Sequence, residues 1–473
     1  MAKPLLYLIN PRNLLEKISR NKFWNKLRVW PPLSIMTVAG LTPPTWDVEI
    51  LDENLEHFDY AKMRRPAAVG VTAFTCQATR GYEVAQEFRR LGVPVIMGGI
   101  HVSLCPNEAS NFADAIVTGE AESVWPSVLE DVLSNSLKPR YAGVYRSPFT
   151  TSPARHDLVR GKYLLGALQT GRGCPLNCKF CSVTSFNGSR FRRRPIPEVL
   201  EEAEMITAGT IFFSDDNLIG TRQDDIAYSK DLFRSMIRRK FNKKWIAQLT
   251  INFGDDDELM LLARESGCVA CYIGFESPDP VVLKEMHKQY NLHRGPDSYK
   301  EAVRRIHKMG IGVTGNFILG SEGDRPGVAQ KIVQAVDECG IDGSPFTTMT
   351  PLPGTHLYEE IAAQGRLILN NYPHDWMFYN LVYPTFQYKN FTWQQLHHEI
   401  EMLYDGLLKS RCRIAQRAMR TWRETGDFRI AFMYLLANLN YRNNWKLYDS
   451  IERSIAVREH QALRPLLNTL PAG

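Results

Sequence analysis

The chain has 473 residues, of which 44% are hydrophobic and 23% charged, with nine cysteines and a net charge of +6. That balance is the one of a folded protein, and the length predicts about three domains. Nine cysteines without a regular framework exclude a secreted disulfide scaffold, and no apolar run reaches the roughly 18 residues needed to span a bilayer. The N-terminus lacks a charged region followed by a cleavable apolar segment, so a reducing cytoplasm is the expected location. The charge is uneven: residues 409–464 hold 12 Lys/Arg against 5 Asp/Glu, and the remainder is close to neutral.

Residues 1–150 read as an α/β domain. Short apolar runs at 4–10, 46–51, 67–74, 93–98 and 113–118 predict five strands, with helical stretches such as 82–91 between them. Strands alternating with helices imply a parallel, doubly wound sheet, which binds ligands at the carboxyl ends of its strands. Those ends carry Thr72 and Thr75, then Gly98, Gly99 and His101, then Gly119 and Glu120. Glycines there let a flat cofactor approach the backbone.

A polar linker is predicted at 148–160, and the alternation then resumes. Strands are expected at 163–169, 210–214, 245–251, 269–275, 311–319 and 343–349, and helices at 224–239, 256–266, 299–309, 328–338 and 355–364. Six βα units over 151–365 predict a curved partial barrel with its chemistry at the strands' carboxyl ends. Residues 366–473 read as a mostly α-helical domain. Its aromatic opening, 371–380, is expected to cap the barrel and meet substrate. Further on, Arg413, Arg417 and Arg420 share one helical face, and Ala415, Met419 and Trp422 share another. Such stripes suit core packing, and a basic amphipathic pair can also lie on an anionic membrane.

The first barrel strand runs into Gly-Cys174-Pro-Leu-Asn-Cys178-Lys-Phe180-Cys181. Three thiolates spaced C-x3-C-x2-C in one loop suit a single metal centre. Four-iron clusters are usually held by four thiolates, so three leave one iron open. The alternative is a zinc site with a fourth ligand from elsewhere. Cys268 and Cys271 form a C-x2-C inside an apolar run, where strand alternation would point them to opposite faces. No further ligand pair is nearby, so no second cluster is expected. The run Arg190-Phe-Arg-Arg-Arg-Pro195 follows the loop. It could neutralise thiolates, grip an anionic substrate, or form a solvated turn.

The cysteine loop resembles that of the radical S-adenosylmethionine superfamily. Ahead of it, Trp30-Pro-Pro-Leu33, Gly98-Gly-Ile-His101 and Gly119-Glu-Ala-Glu122 resemble the cobalamin-binding domain that precedes many such modules. The resemblance covers residues 1–365 and lies near the hopanoid-methylase-like branch. It implies a 4Fe–4S cluster on Cys174, Cys178 and Cys181, with Phe180 in the same loop. It also implies S-adenosylmethionine on the open iron, and cobalamin at Thr72, Thr75, Gly98, Gly99, His101, Gly119 and Glu120. The first strand is followed by Asn10-Pro-Arg-Asn, without the His that ligates cobalt in better-known corrin domains.

Polar residues at the barrel strand ends are the expected contacts to S-adenosylmethionine: Ser214, Asp215, Asp216, Gln248, Asn252, Glu276 and Asn316. Carboxylates suit its ammonium and ribose diol, although Asp216 and Glu276 could also be plain helix caps. The resemblance further implies hydrogen abstraction by a 5′-deoxyadenosyl radical, methyl delivery by methylcobalamin, and an electron donor such as flavodoxin or ferredoxin. The expected function is therefore methylation of an unactivated carbon in a small-molecule or lipid substrate. An oxidative cyclase or rearrangement enzyme with the same cofactors is the alternative. A non-catalytic cobalamin or iron–sulfur sensor is a remote one, and no DNA-binding motif points to nucleic acid.

Overall fold

The computed structural model describes residues 2–15, 30–145, 151–295 and 297–459, with side chains as far as residue 443. Two all-parallel sheets organise it. The first contains β1 (Leu5–Asn10), β2 (Asp47–Asp52), β3 (Ala68–Thr72), β4 (Val95–Gly98), β5 (Ala115–Thr118) and β6 (Arg140–Ala142), in the order β2-β1-β3-β4-β5-β6. Every residue of β1 is buried, because both faces are covered. Leu6 and Leu8 pack with Ile35, Met36 and Trp125, while Tyr7 and Ile9 lie in the other cluster with Tyr82 and Phe88. The strand order changes direction between β1 and β3, the switch point at which such sheets bind ligands. The short strand β6 has too few apolar residues to be read from sequence.

The second sheet begins with β7 (Gly166–Leu168). Two short strands, β8 (Gly171–Arg172) and β9 (Arg192–Arg193), then pair antiparallel with each other. The sheet continues with β10 (Thr210–Phe213), β11 (Lys244–Leu249), β12 (Cys268–Glu276), β13 (Gly312–Leu319) and β14 (Phe346–Thr348), in sequence order across the sheet. Helices follow the strands on one side, so the sheet curls into an open half-barrel.

The pairing of β11 with β12 steps from Trp245↔Cys268 to Ile246↔Ala270. Val269 is the extra residue of a bulge, which resets the alternation. Cys268 and Cys271 therefore share one buried core layer instead of facing opposite ways.

Apolar residues fill the amino-end half of the lumen. Ile246 and Ala270 pack with Ile430 and Tyr434 of the helix Phe428–Glu459, and Phe212 and Tyr272 pack against them. The Trp30 ring lies 4.3 Å from that of Phe212.

Two expectations for the C-terminal region are corrected. The aromatic stretch 371–380 offers little surface to a substrate, since Trp376 and Tyr379 are almost fully buried. It fastens the barrel to the first sheet: Thr79 Oγ1 donates to Pro373 O at 2.7 Å and Trp376 Nε1 donates to Glu108 at 2.9 Å. The helix Arg411–Thr425 turns Arg417 and Arg420 of its arginine face inward and leaves Arg413 exposed. Arg417 is buried and Arg420 donates to Ile341 O, whereas Met419 and Trp422 are exposed. Among the described residues no helix is long and apolar enough to cross a membrane.

Candidate active site: the cysteine loop and the strand ends

The β8–β9 pair sets Arg172 opposite Arg192 and so closes residues 173–191 into a loop with a narrow neck. At the neck Gly173 has φ +94°, and a Cβ there would come within 2.2 Å of Arg190 O, so only glycine fits. Inside the loop, Cys174 N donates to Gly188 O at 3.2 Å and Cys181 N to Cys178 O at 3.0 Å. Its outer edge is docked on the barrel, where Lys179 N donates to Met286 O at 3.1 Å and Leu357 N donates to Lys179 O at 3.0 Å. Lys179 Nζ lies 2.8 Å from Glu360 and 3.3 Å from Glu285. Phe180 is half-buried against the main core.

The three thiols feel one another in a desolvated pocket. Burial, with the charge of Cys178 adding, pushes Cys174 up to about 11. Burial and the other two cysteines push Cys181 up to about 12. Burial also raises Cys178, against the pull of the Lys288 ammonium. Three clustered thiols that resist ionising alone are a donor set that binds as thiolate once a cation is present. One thiolate per corner iron, with the fourth corner open, fits a four-iron cluster.

Glu276 ends β12 with φ +65°. Its carboxylate is buried and accepts from Lys288 Nζ at 2.6 Å. A Cβ on Gly274 would sit 2.3 Å from Glu276 Oε1, so the glycine is what lets this carboxylate fold back over the strand. Burial works against the charge of Lys288, but Glu276 and then Cys178 outweigh it and keep the ammonium protonated. Sequence reading missed Lys288. Its only local signal is a lysine just after the short helix Pro280–Glu285, which follows the glutamate-bearing strand.

Asp215 and Asp216 diverge. Asp215 is fully buried and accepts from Thr170 N at 2.9 Å and Thr170 Oγ1 at 2.7 Å, which makes it a brace under the neck. Asp216 accepts from Asn187 Nδ2 at 3.0 Å, and burial pushes it up to about 6 with Asp215 adding. It lies close enough to Cys174 and Cys181 for its charge to act on both. Neither Asp216 nor Glu276 caps a helix: the helix after Asp216, Gln223–Arg238, has no side-chain cap, and the one after Glu276 is capped by Asp279. Ser214 Oγ donates to Leu168 O at 3.1 Å. Gln248 is exposed on β11, and Asn316 pairs in register with Gly274. Asn252 donates to Gly220 O at 3.0 Å, and its buried Oδ1 has no partner.

At the carboxyl ends of the first sheet, Thr72 is half-buried, and Gly98 and Gly99 form the turn into the helix Ile100–Leu104. Gly119 N donates to Ser103 Oγ at 3.0 Å. His101 is corrected: it has no exposed surface and so presents nothing to a corrin. Its Nε2 lies 3.1 Å from Tyr82 Oη and 3.4 Å from Glu108 Oε1, its Nδ1 lies 3.4 Å from Thr75 Oγ1, and its ring is 5.2 Å from that of Trp376. Glu120 is corrected too, because its carboxylate is engaged by Arg192 at 2.7 and 2.8 Å and by Arg172 at 3.0 Å. Arg190 is exposed, but Arg192, Arg193 and Arg194 form neither a solvated turn nor a free anion grip. Arg193 stacks over Phe191 and Tyr228, and Arg194 pairs with Glu202 at 2.8 Å.

A thiolate loop at the head of a half-barrel, joined to a doubly wound sheet, defines a two-cofactor enzyme. The chain matches the radical SAM superfamily over residues 168–359 and the B12-binding domain over 27–129. It belongs to the cobalamin-dependent radical S-adenosylmethionine enzymes. Among its relatives, it is 28% identical to the hopanoid C-2 methylase of Rhodopseudomonas palustris (strain TIE-1) over 72% of this chain and 65% of that one. It is 30% identical to the bacteriochlorophyllide d C-12(1)-methyltransferase of Chlorobaculum tepidum over 71% of this chain and 74% of that one. Its fold is similar to that of the radical S-adenosylmethionine methyltransferase TsrM from Kitasatospora setae, solved with cobalamin and a [4Fe–4S] cluster. The TM-score is 0.64 at 17% identity, covering 92% of this chain and 100% of that one.

Proposed function

We propose that this chain is a C-methyltransferase acting on an unactivated carbon of a small molecule or lipid. The observation that carries the proposal is the meeting of the two cofactor ends. The loop after β5 reaches the neck of the cysteine loop through Glu120 and Arg192. When bound, the cluster with S-adenosylmethionine supplies hydrogen abstraction, and the corrin supplies the methyl group.

The chain's own residues bind, orient and enclose. Cys174, Cys178 and Cys181 hold the cluster. Asp216 and Glu276 offer carboxylates beside it for the ammonium and diol of S-adenosylmethionine, with Phe180, Ser214, Gln248, Asn252 and Asn316 around them. Thr72, Gly98, Gly99 and Gly119 form the strand-end cradle for the corrin, with Thr75 and His101 braced behind it. With His101 buried, no histidine of this cradle ligates cobalt, and electron paramagnetic resonance of the cob(II)alamin form should show no histidine nitrogen splitting. The working division is a corrin domain at 1–150, a barrel at 151–365 and a helical domain at 366–473. A flavodoxin or ferredoxin is the electron donor.

The test uses S-adenosylmethionine with a deuterated methyl group and candidate substrates of the kinds the relatives are named for, hopanoids and bacteriochlorophyllides. Each methylated product should carry the label and appear with one 5′-deoxyadenosine and one S-adenosylhomocysteine. Unlabelled product formed with 5′-deoxyadenosine alone would instead favour an oxidative cyclase or rearrangement.

A lipid substrate would bring the enzyme to a membrane, and an apolar surface supports that contact. Met419, Trp422, Phe428, Phe432 and Leu436 are all exposed, and Arg429 is exposed beside them. The aromatic stripe, not the arginine face with its inward-turned Arg417 and Arg420, would enter the interface. Cosedimentation with anionic vesicles should be lost in Trp422→Ser/Phe428→Ser; unchanged binding would refute the contact.

A further inference from the structure

Residues directly opposite in an antiparallel pair project to the same face, and like charges set there repel. Arg172 and Arg192 are such a pair in β8–β9. The neck of the cysteine loop therefore holds two guanidiniums side by side on a two-residue ladder. Their counter-charge comes from the other sheet. Glu120 receives Arg192 through two parallel bonds, at 2.7 and 2.8 Å, and receives Arg172 at 3.0 Å. Glu122 takes the other arm of Arg172 at 2.6 Å. The Glu120 side chain is 4% exposed and that of Arg192 is 9% exposed, so these bonds are charge-assisted and largely desolvated.

Glu120 follows Gly119 directly at the end of β5, the same turn that closes the strand-end cradle. Gly119 has φ +73° and a Cβ there would come within 2.8 Å of Gly143 O, so the cradle and the carboxylate share one tightly fixed turn. We propose that Glu120 is a positioning residue that couples occupancy of the corrin site to the closure of the cysteine loop. This rests on the cofactor assignment proposed above. By linkage the coupling is reciprocal, so each cofactor strengthens the hold on the other.

The experiment uses the full chain, reconstituted anaerobically with iron and sulfide, with and without hydroxocobalamin. Two readouts follow the cluster itself: the electron paramagnetic resonance spectrum of its reduced form, and the rate at which a chelator bleaches its visible absorption. In the unaltered protein, corrin loading should shift the spectrum and slow bleaching at least five-fold. In Glu120→Gln, which keeps shape and loses charge, the cluster should still form and corrin should still bind, but slowing should fall below two-fold. Glu122→Gln, which leaves the shared carboxylate in place, should keep most of the effect. If Glu120→Gln does not fold, Arg192→Lys replaces it; this variant keeps the charge, loses the two-pronged bond, and should give an intermediate loss. Full slowing in either variant overturns the coupling, as does an unaltered protein whose cluster is indifferent to bound corrin. An unaltered protein that takes up no corrin overturns the cofactor assignment as well, and corrin analysis separates that result from the others.

Discussion

The two ends of the half-barrel are built from opposite materials. At the amino end Ile246, Ala270, Ile430 and Tyr434 close the lumen by apolar contact. At the carboxyl end the walls are charged and paired: Glu276 with Lys288, Lys179 with Glu360, and Glu120 with Arg192. Apolar burial is favourable whatever is bound above it. Buried ion pairs are weak sources of stability, since desolvation offsets most of their attraction, but removing one partner is costly. The amino end thus holds the protein together, and the carboxyl end holds geometry that is useful only around cofactors.

The sharpest break of this comparison is Cys178→Ala. Losing one of three thiolates should abolish the broad visible absorption of the reconstituted cluster and stop 5′-deoxyadenosine formation, while the thermal midpoint without iron stays within a few degrees. A variant that assembles a normal cluster and still cleaves S-adenosylmethionine would remove the loop from the active site.

Tyr434→Ala probes the other end. It empties a large buried site and deletes the bond to Thr314 Oγ1 at 3.1 Å, a loss of about 4 kcal/mol by comparison with other core aromatic truncations. Urea unfolding should show a lower midpoint, with cluster spectra unchanged in native buffer. A cluster that bleaches in this variant would mean that the two ends are not separable.

Lys288→Met comes next, with an expected loss of about 3 kcal/mol, because the buried Glu276 carboxylate keeps its burial and loses its cation. The paired variant Lys288→Met/Glu276→Gln should recover much of that stability while leaving S-adenosylmethionine cleavage impaired. Recovery of both would make the pair structural only.

The same contrast decides what could be read from sequence. The six barrel strands follow from local alternation of strand and helix, and the thiolate loop from its spacing. The charged end depends on partners far apart in the chain. Glu120 sits in a motif that points to the corrin, yet its carboxylate meets an arginine 72 residues on. His101 sits at a strand end, yet a tryptophan from the C-terminal region packs against it and Glu108 joins the two. The Val269 bulge turned two cysteines onto one layer, and no periodicity rule announces a bulge. The inward turn of Arg417 and Arg420 was hidden because their acceptors, Asp337 and Ile341 O, lie in another element.

The smallest expected effect lies where the C-terminal helices dock on the barrel. His307 is buried between two carboxylates, with Nε2 2.8 Å from Asp342 and Nδ1 2.7 Å from Glu424. Asp342 also accepts from Thr421 Oγ1 at 2.5 Å and from Val313 N at 2.7 Å, and its backbone oxygen accepts from Asn438 at 2.9 Å. Burial disfavours the imidazolium, but the charges of Asp342 and Glu424 outweigh it and push His307 up to about 9. The folded pKa lies above the unfolded value near 6.5, so the folded state binds the proton more tightly. The stabilisation is fully present below about pH 6.5 and is lost as pH rises through about 9. Because Glu424 is partly exposed, the effect is roughly 2 kcal/mol, smaller than the full shift implies. Urea midpoints measured from pH 6 to pH 10 should fall across that window in the unaltered protein. In His307→Gln the midpoint should be lower at pH 6 and the fall in this window shallower. A His307→Gln profile with the same slope would assign the pH dependence to other groups and leave the helices held by their apolar contacts, as the rest of that end is.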